Sequence, residues 1–316
     1  MRSAAERSKQ IRNAVTASAL SLIPAGMAAA GSVCLKLDTL PVLLISAGSF
    51  AIVLAVMILL WKKTDLIRRL LYCVYKIKNP SGTRKYFCPC CSRSLAGFTD
   101  MRYYDDEERF DPARFRKMRQ DVICPFCYSA PRQRILACWA DDNADLLRRS
   151  GILYFAPEYS MMKWFGRNKI KVTTADLYAG NVDLKLDITK IALPDASYDM
   201  VIANHVLEHV SSYADAMSEL HRILKPDGMM IISFPIDPDL DTVVEQEAGT
   251  AEERIRLFGQ NDHVRVFGKD SAGLISSFGF TVSVIGDAGL PESVMPVTGP
   301  ADYDSNLIFL CRRTGS

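Results

Sequence analysis

Two long apolar stretches lie near the start of the chain. No charged residue occurs in 13–35 or in 39–61. Each stretch is long enough to cross a hydrocarbon core of about 30 Å as a helix. The pattern predicts a transmembrane hairpin with helices at about 13–35 and 39–61. For the first stretch a cleavable signal peptide is an alternative interpretation, with small residues at 28–30 as the cleavage site.

Basic residues flank this predicted hairpin on both sides. They favour a cytoplasmic position for both ends, and so predict a multi-pass protein of the inner membrane with everything after Trp61 in the cytoplasm. Residues 64–78 interleave apolar with basic residues, as a helix on a membrane surface would; a helical linker is the alternative. The flanking basic residues are Arg2, Arg7, Lys9 and Arg12 before the first stretch, and Lys62, Lys63, Arg68 and Arg69 after the second.

After Cys127 the pattern changes to short apolar runs that alternate with helical segments. The runs have the length and composition of buried strands. Alternation of this kind predicts a doubly wound α/β sheet with ligands beyond the carboxyl ends of its strands. The runs read GILYFA, IKVTTA, VDLKLDI, YDMVIA, GMMIISF, GFTVSVI and NLIFLC.

Two helices can be read between these strands. Residues 132–150 have helical spacing of apolar positions. Residues 211–228 begin with a serine cap, place Met217, Leu220 and Leu224 on one face, and end at Lys-Pro-Asp-Gly. The second helix is expected to connect the fourth strand to the fifth.

The charge balance gives no indication of a nucleic-acid partner. Charged residues make up 23% of the chain and the net charge is only +2. A basic surface large enough to bind a phosphate backbone would raise the net charge of its domain. No nucleic acid is therefore expected among the partners.

Four of the nine cysteines form two C-x-x-C pairs. Two such pairs can direct four thiolates to one tetrahedral Zn²⁺, which leaves no open position for chemistry. The spacing predicts a structural zinc site, with a redox dithiol as the alternative. Cys90 is then a spare thiol. The predicted ligands are Cys88, Cys91, Cys124 and Cys127.

Acidic residues stand at the ends of the predicted strands. Asp176 closes the second strand and Asp187 the third. A carboxylate at the end of the second strand can accept both ribose hydroxyls of a nucleoside. As an alternative, each of these acids could be a helix cap or a turn residue.

Residues 205–209 have the H-x-x-E-H spacing of an inverted zinc-protease motif, with His205, Glu208 and His209. That motif needs a helix and a further carboxylate ligand from a downstream helix. The preceding run is strand-like up to Asn204, so His205 is expected to begin a turn. The context therefore argues against a protease.

The segments 192–210 and 216–236 resemble the core of class I S-adenosylmethionine-dependent methyltransferases of the type 11 group. The resemblance extends to ILYFAPE at 152–158 and to 252–268. The combination is similar to a bacterial subgroup that carries a cysteine-rich knuckle before the catalytic domain. It covers about residues 85–312 and implies a Rossmann-like, doubly wound, seven-stranded methyltransferase sheet.

The resemblance implies where the cofactor, S-adenosyl-L-methionine, would bind. Its usual glycine-rich first loop is replaced by residues 155–158, where Ala156 is small enough for close approach and Glu158 could meet the amino group of the methionine moiety. His209 and His263 are the candidates for a base at the acceptor, although His263 could equally be a structural histidine. The implied cofactor-binding residues are Ala156, Glu158, Asp176, Asp187, Asn204 and His205.

These readings divide the chain into a membrane anchor at 1–79, a four-cysteine zinc-binding module at 80–130 and a methyltransferase domain at 131–316. The expected function is methyl transfer at the cytoplasmic face of a membrane. The expected partners are the lipid bilayer and an unknown acceptor: a small molecule, a lipid-linked precursor or a protein. The alternative is a non-catalytic scaffold that binds a protein through its zinc module.

Overall fold

A computed structural model of the chain describes residues 64–100, 109–110, 121–245, 249–295 and 306–314. The residues from Gly82 onward belong to one compact unit, and helix α1 (Thr64–Lys78) belongs to another. Helix α1 is amphipathic, with Leu71, Val74 and Ile77 exposed.

The predicted membrane location is corrected by the structure. Helix α1 has 15 residues, which span about 22 Å and fall short of a hydrocarbon core. Among the described residues, no helix has both the length and the apolar character needed to cross a membrane. This finding contradicts the prediction of a multi-pass protein of the inner membrane. The predicted spans at 13–35 and 39–61 lie outside the described residues.

A seven-stranded sheet forms the centre of the larger unit, as the alternating pattern predicts. Its strands are β3 (Ile152–Phe155), β4 (Thr173–Asp176), β5 (Leu184–Lys185), β6 (Tyr198–Asn204), β7 (Leu224–Ser233), β10 (Phe280–Ile285) and β11 (Ile308–Arg313). Their order in the sheet is β10-β11-β7-β6-β3-β4-β5. The neighbours in the series β7-β6-β3-β4-β5 run parallel, whereas β11 is antiparallel to both β7 and β10.

Helices and two small strand pairs surround this sheet. The pairs are antiparallel: β1 (Tyr86–Cys88) with β2 (Arg93–Leu95), and β8 (Val244–Glu245) with β9 (Arg265–Val266). The further helices are α2 (Pro131–Asp142), α3 (Ala144–Arg149), α4 (Tyr159–Arg167), α5 (Tyr213–Ile223), α6 (Ala251–Phe258) and α7 (Ser271–Ser276). The helical pattern of 132–150 is thus divided at Asn143.

The central strands are apolar on both faces because helices cover both sides of a parallel sheet. Along β3, Leu153 and Phe155 belong to one buried cluster. Ile152 and Tyr154 belong to the other cluster. The same alternation holds in β6, so the sheet separates two cores and the strand ends are left for ligands.

Helix α5 differs from its predicted extent at its last residues. Ser212 caps it by accepting a hydrogen bond from the backbone N–H of Asp215 at 3.1 Å, and Met217 and Leu220 are buried as expected. Leu224, however, begins β7 rather than lying on the helix face. A side chain at Gly228 would place its Cβ 2.8 Å from the carbonyl oxygen of Lys225, so this tight turn requires glycine.

Candidate active site at the carboxyl ends of the strands

The carboxyl ends of β3, β4 and β6 meet at one edge of the sheet. Phe155 is in register with Ala175 on one side and with Ala203 on the other. The strand order reverses at β3, because β4 and β6 lie on its two sides, and this is where open α/β sheets bind ligands. The residues that follow these strands are therefore brought together, as the sequence predicts.

Ala156 follows β3 in a left-handed conformation, with φ of 46°. Glycine takes this conformation without strain, and alanine takes it at a cost of about 1–2 kcal/mol. The backbone N–H of Ala156 donates to the carbonyl of Ala175 at 2.8 Å. The loop thus has one residue in a conformation that favours glycine, although it contains no glycine.

Glu158 already has three side-chain partners. Arg132 donates to Oε1 at 3.1 Å, Gln133 donates to the same oxygen, and the Tyr154 hydroxyl donates to Oε2 at 3.1 Å. The sequence does not indicate the first two contacts, because α2 brings Arg132 and Gln133 from a distant segment. A ligand that binds Glu158 would therefore have to share its carboxylate with these three side chains.

Asp176 and Asp187 both use one carboxylate oxygen to hold a turn. Oδ1 of Asp176 accepts from the backbone N–H groups of Tyr178 and Ala179 at 2.6 and 2.7 Å. Oδ1 of Asp187 accepts from the backbone N–H and the hydroxyl of Thr189 at 2.9 and 2.7 Å. Asp176 is the last residue of β4, as predicted, whereas β5 ends at Lys185, two residues before Asp187.

Asn204 is the last residue of β6, beside β7, and His205 follows it. Asn204 is buried, and its Oδ1 accepts from the hydroxyl of Ser233 at 3.0 Å. His205 has φ of 52°, and its backbone N–H donates to the carbonyl of Ser233 at 2.7 Å. Its Nδ1 lies 3.1 Å from Oε1 of Glu208, while Nε2 is buried and has no hydrogen-bond partner among the residues that the structure describes.

The H-x-x-E-H residues lie in a turn, not in a helix. Residues 207–209 form the turn, and the backbone N–H of His209 donates to the carbonyl of Val206 at 3.0 Å. The expectation that His205 begins a turn is therefore met. The helical presentation that a zinc protease requires is not present in these residues.

A second segment, 258–265, packs against this turn. The rings of His209 and His263 lie 4.7 Å apart between centroids and are nearly perpendicular. Nδ1 of His209 lies 3.2 Å from the carbonyl oxygen of Asp262, and Nδ1 of His263 lies 3.2 Å from that of Phe258. Burial lowers the pKa of His263 to about 4, with the neighbouring His209 acting in the same direction.

Arg265 connects the two segments. Its side chain is 2% exposed and donates to the carbonyls of Leu207, Val210 and Ser211, the last two at 2.6 and 3.1 Å. It also pairs with Glu245. A polar cluster around 260–265 is visible in the sequence, but three carbonyl acceptors cannot be read from it.

The four predicted zinc ligands are brought together. One sulfur from each of Cys88, Cys91, Cys124 and Cys127 lies within 4.8 Å of the others. Cys88 and Cys127 are 3.5 Å apart at sulfur, and Cys91 and Cys124 are 3.8 Å apart. Four sulfurs bound at about 2.3 Å to one Zn²⁺ lie about 3.8 Å from one another, whereas a disulfide is about 2 Å long. The arrangement fits a metal.

Cys90 lies outside this set. Its thiol is buried and donates to the carbonyl of Gln133 at 3.3 Å. Burial raises the pKa of Cys90 well above its ordinary value, which favours the neutral thiol. This agrees with the interpretation of Cys90 as a spare.

Residues 158–232 match a family described as a methyltransferase domain. The prediction of a methyltransferase domain is confirmed over these residues. Among similar proteins, a probable S-adenosylmethionine-dependent methyltransferase of Mycolicibacterium smegmatis is 39% identical over 49 residues, which are 16% of this chain and 19% of that protein. Demethylmenaquinone methyltransferase of Geobacillus kaustophilus is 27% identical over 133 residues, 40% of this chain and 55% of that protein.

A solved structure with a similar chain path is the 1,6-didemethyltoxoflavin-N1-methyltransferase of Burkholderia thailandensis. Its sequence identity is 18%, the TM-score is 0.41, and the alignment covers 57% of this chain and 78% of that one. The chain spans about a fifth to about half of the length of the two relatives described above. The activity of the whole protein, its substrate and its partners are therefore matters of proposal.

Proposed function

We propose that the protein is an S-adenosylmethionine-dependent methyltransferase that binds its cofactor across the carboxyl ends of β3, β4 and β6. The observation that carries the proposal is the meeting of Ala156, Asp176 and His205 at the reversal point of the sheet, within a chain that matches a methyltransferase domain. Methyl transfer from a sulfonium depends mainly on positioning, which a rigid edge of this kind supplies.

The residues of this edge fit the cofactor chemically. Oδ1 of Asp176 is held by two backbone N–H groups, so its second oxygen is positioned for the ribose hydroxyls. Nε2 of His205 is buried and has no hydrogen-bond partner in the described part of the chain, so it can accept from the ammonium group of the methionine moiety. Asn204 lines the same end of β6, and Asp187 and Glu158 complete the proposed cofactor side.

The acceptor side is proposed to lie at His209 and His263. Both rings stand beyond the end of β6, and His209 has 29% of its side chain exposed whereas His263 is buried. A methyl acceptor can therefore reach His209 directly. Either imidazole could serve as the base that the sequence suggests, with His263 acting behind His209.

The four-cysteine cluster is proposed to hold a structural Zn²⁺. It would supply no chemistry, because four thiolates fill the coordination sphere. Arg167 donates to the carbonyls of Pro89 and Cys90 at 2.9 and 3.0 Å, which ties the cluster to the helix that follows β3.

Calorimetric titration of S-adenosylmethionine and S-adenosylhomocysteine into the purified full-length chain tests the proposed function. Saturable binding with one site per chain is expected for both, and methionine alone serves as the control ligand. A folded chain that binds neither would overturn the proposal. That result would favour the non-catalytic scaffold instead.

A further inference from the structure

The buried carboxylate of Glu208 has an ion-pair contact with His205 but no hydrogen-bond donor among the described residues. The residue is 1% exposed, and neither carboxylate oxygen accepts a hydrogen bond among the described residues. His205 places Nδ1 within ion-pair distance of Oε1, at 3.1 Å, but not in hydrogen-bonding alignment. Buried carboxylates are normally paired, hydrogen-bonded or bound to a metal.

In two histidines beside Glu208, a backbone carbonyl oxygen fixes the position of Nδ1. Nδ1 of His209 and Nδ1 of His263 each lie 3.2 Å from a carbonyl oxygen, those of Asp262 and Phe258. A carbonyl oxygen only accepts, so Nδ1 carries the hydrogen in both rings and Nε2 keeps a lone pair. Metal-binding histidines are oriented in this way, by a hydrogen bond from the other ring nitrogen to a carbonyl or carboxylate.

These three side chains converge. One ring nitrogen of His209, one of His263 and one oxygen of Glu208 lie within 4.8 Å of one another. We propose that Glu208, His209 and His263 form a second metal site, for a divalent transition metal such as Zn²⁺. Ligand atoms at about 2.1 Å from one ion lie roughly 3–3.5 Å apart, so an inward movement of at most about 1 Å would complete the site.

Hydrogen bonds hold the backbone on both sides of the proposed site. Arg265 fixes the turn that carries Glu208 and His209 through the carbonyls of Leu207 and Val210. The backbone N–H of Val264 donates to the carbonyl of Glu208 at 2.9 Å. The two segments that supply the ligands are thus bonded to each other, which reduces the reorganisation that metal binding requires.

The ligand set indicates the class of metal and of its further ligand. Two imidazoles and one carboxylate suit Zn²⁺, Fe²⁺ or Mn²⁺ better than Mg²⁺ or Ca²⁺, which prefer all-oxygen sites. Three protein ligands leave coordination positions open, in contrast to the four-cysteine site. The next step rests on the proposed function. The open position would take an oxygen of the methyl acceptor, and the metal would make the acceptor easier to ionise. The two histidines would then be ligands instead of bases.

Zinc titration of the full-length chain, in the absence of S-adenosylmethionine, tests the site. The wild type is expected to bind one equivalent more than Glu208→Gln and one more than His209→Ala. His221→Ala removes a histidine outside the cluster, which packs on Phe280 at 5.2 Å, and should keep the wild-type stoichiometry. Equal zinc content in the wild type, Glu208→Gln and His209→Ala would overturn the proposal.

Cobalt substitution of the wild-type chain gives a second readout that needs no variant. Thiolate-bound Co²⁺ absorbs strongly by sulfur-to-metal charge transfer, whereas a site of imidazole and carboxylate lacks that band. Co²⁺ bound without a matching thiolate band is expected, and a spectrum due to thiolates alone would argue against the site. A chain that binds S-adenosylmethionine but lacks this metal defeats only this inference, and the reverse result defeats only the proposed function.

Discussion

The rings of His209 and His263 lie 4.7 Å apart and nearly perpendicular, although the two residues are far apart in the sequence. Neither residue holds the other by a hydrogen bond; each donates from Nδ1 to a backbone carbonyl of the 258–262 segment. The guanidinium of Arg265 fixes the turn that carries His209. The geometry of the proposed acceptor side therefore depends on one buried arginine.

Replacing that arginine by alanine is expected to destabilise the protein. Arg265→Ala leaves the carbonyls of Leu207, Val210 and Ser211 without their donor, and each buried orphan acceptor costs about 1–3 kcal/mol. A loss of about 3 kcal/mol in the free energy of unfolding is expected in chemical denaturation. Arg312→Ala, at an exposed arginine that donates to one carbonyl, should change it by less than about 0.5 kcal/mol. Equal losses of unfolding free energy in the two variants would argue against the stabilising role of Arg265.

Removing the carboxylate of Asp176 is expected to weaken cofactor binding. A hydrogen bond to a charged group contributes about 1.5–3 kcal/mol, so Asp176→Ala should raise the Kd for S-adenosylmethionine roughly ten- to hundredfold. Asp176→Asn keeps an oxygen for the backbone N–H groups of Tyr178 and Ala179 and loses the charge, and it should give an intermediate Kd. Calorimetry on all three proteins decides, and an unchanged affinity in Asp176→Ala would rule out the contact.

The four-cysteine site is expected to be needed for stability. Cys124→Ser should lose one equivalent of thiolate-bound metal, and a chelator should lower the melting temperature of the wild type, because metal binding and folding are coupled. Cys138→Ser changes a half-buried thiol that is not part of the cluster, so its metal content should equal that of the wild type. Metal analysis and thermal denaturation measure both effects. Full metal content in Cys124→Ser would refute the ligand assignment.

The left-handed backbone at Ala156 makes a glycine substitution favourable there. Ala156→Gly removes about 1–2 kcal/mol of backbone strain and adds about 0.5–1 kcal/mol of unfolded-state entropy. The free energy of unfolding should therefore rise, by up to about 1.5 kcal/mol. Ala196→Gly, at φ of 52°, should behave alike, while Ala214→Gly in helix α5 should destabilise. A loss of stability in Ala156→Gly would contradict the conformation described for this loop.

Acid sensitivity is expected from Asp199. The backbone N–H of Gly151, at 2.8 Å, and then Lys225, at 2.9 Å, hold the pKa of Asp199 below its ordinary value. A carboxyl group whose pKa is lower in the folded state stabilises the folded protein at any pH above the pKa of the unfolded state, which is about 3.9 for Asp. This stabilisation is lost as the pH falls through the pKa of the folded state. Asp199→Asn should therefore be less stable than the wild type at pH 7, and the difference should shrink below about pH 4.

Denaturant titrations between about pH 2 and pH 7 measure this difference in stability. Asp145→Asn is the matched control, since Asp145 is an exposed residue that pairs with Arg148 within one helix. Its effect should be small at every pH. A difference for Asp199→Asn that does not change with pH would show that the carboxylate charge contributes nothing.

Much of the sheet could be predicted from the sequence because its central strands are continuous apolar runs. β3, β6, β10 and β11 form where the runs predict them. β5 extends only over Leu184–Lys185, and directly before it the carboxylate of Asp183 accepts from the backbone N–H and the hydroxyl of Thr174. An edge strand has one neighbour, so such local bonds shorten it without altering the apolar pattern.

The site could be predicted where its residues follow strands, and not where distant segments meet. Asp176, Asn204 and His205 stand at strand ends, and strand ends are visible as breaks in the apolar pattern. The contacts of Glu158 with α2 and of Arg265 with three carbonyls depend on how helices and loops pack. Periodicity carries no information about such contacts. That the buried carboxylate of Glu208 accepts no hydrogen bond from the described residues likewise becomes apparent only from the folded chain.

Arg134 is fully buried and donates to the carbonyls of Val122, Ser129 and Val294. Two of these acceptors precede the predicted boundary at 130/131, and one lies near the other end of the chain. A protein that began at residue 131 would keep the buried guanidinium of Arg134 but would lack two of its three carbonyl acceptors. The cysteine segment and the sheet are thus expected to be inherited together. A chimera of two relatives should fold when both come from the same parent, and should be destabilised when they come from different parents.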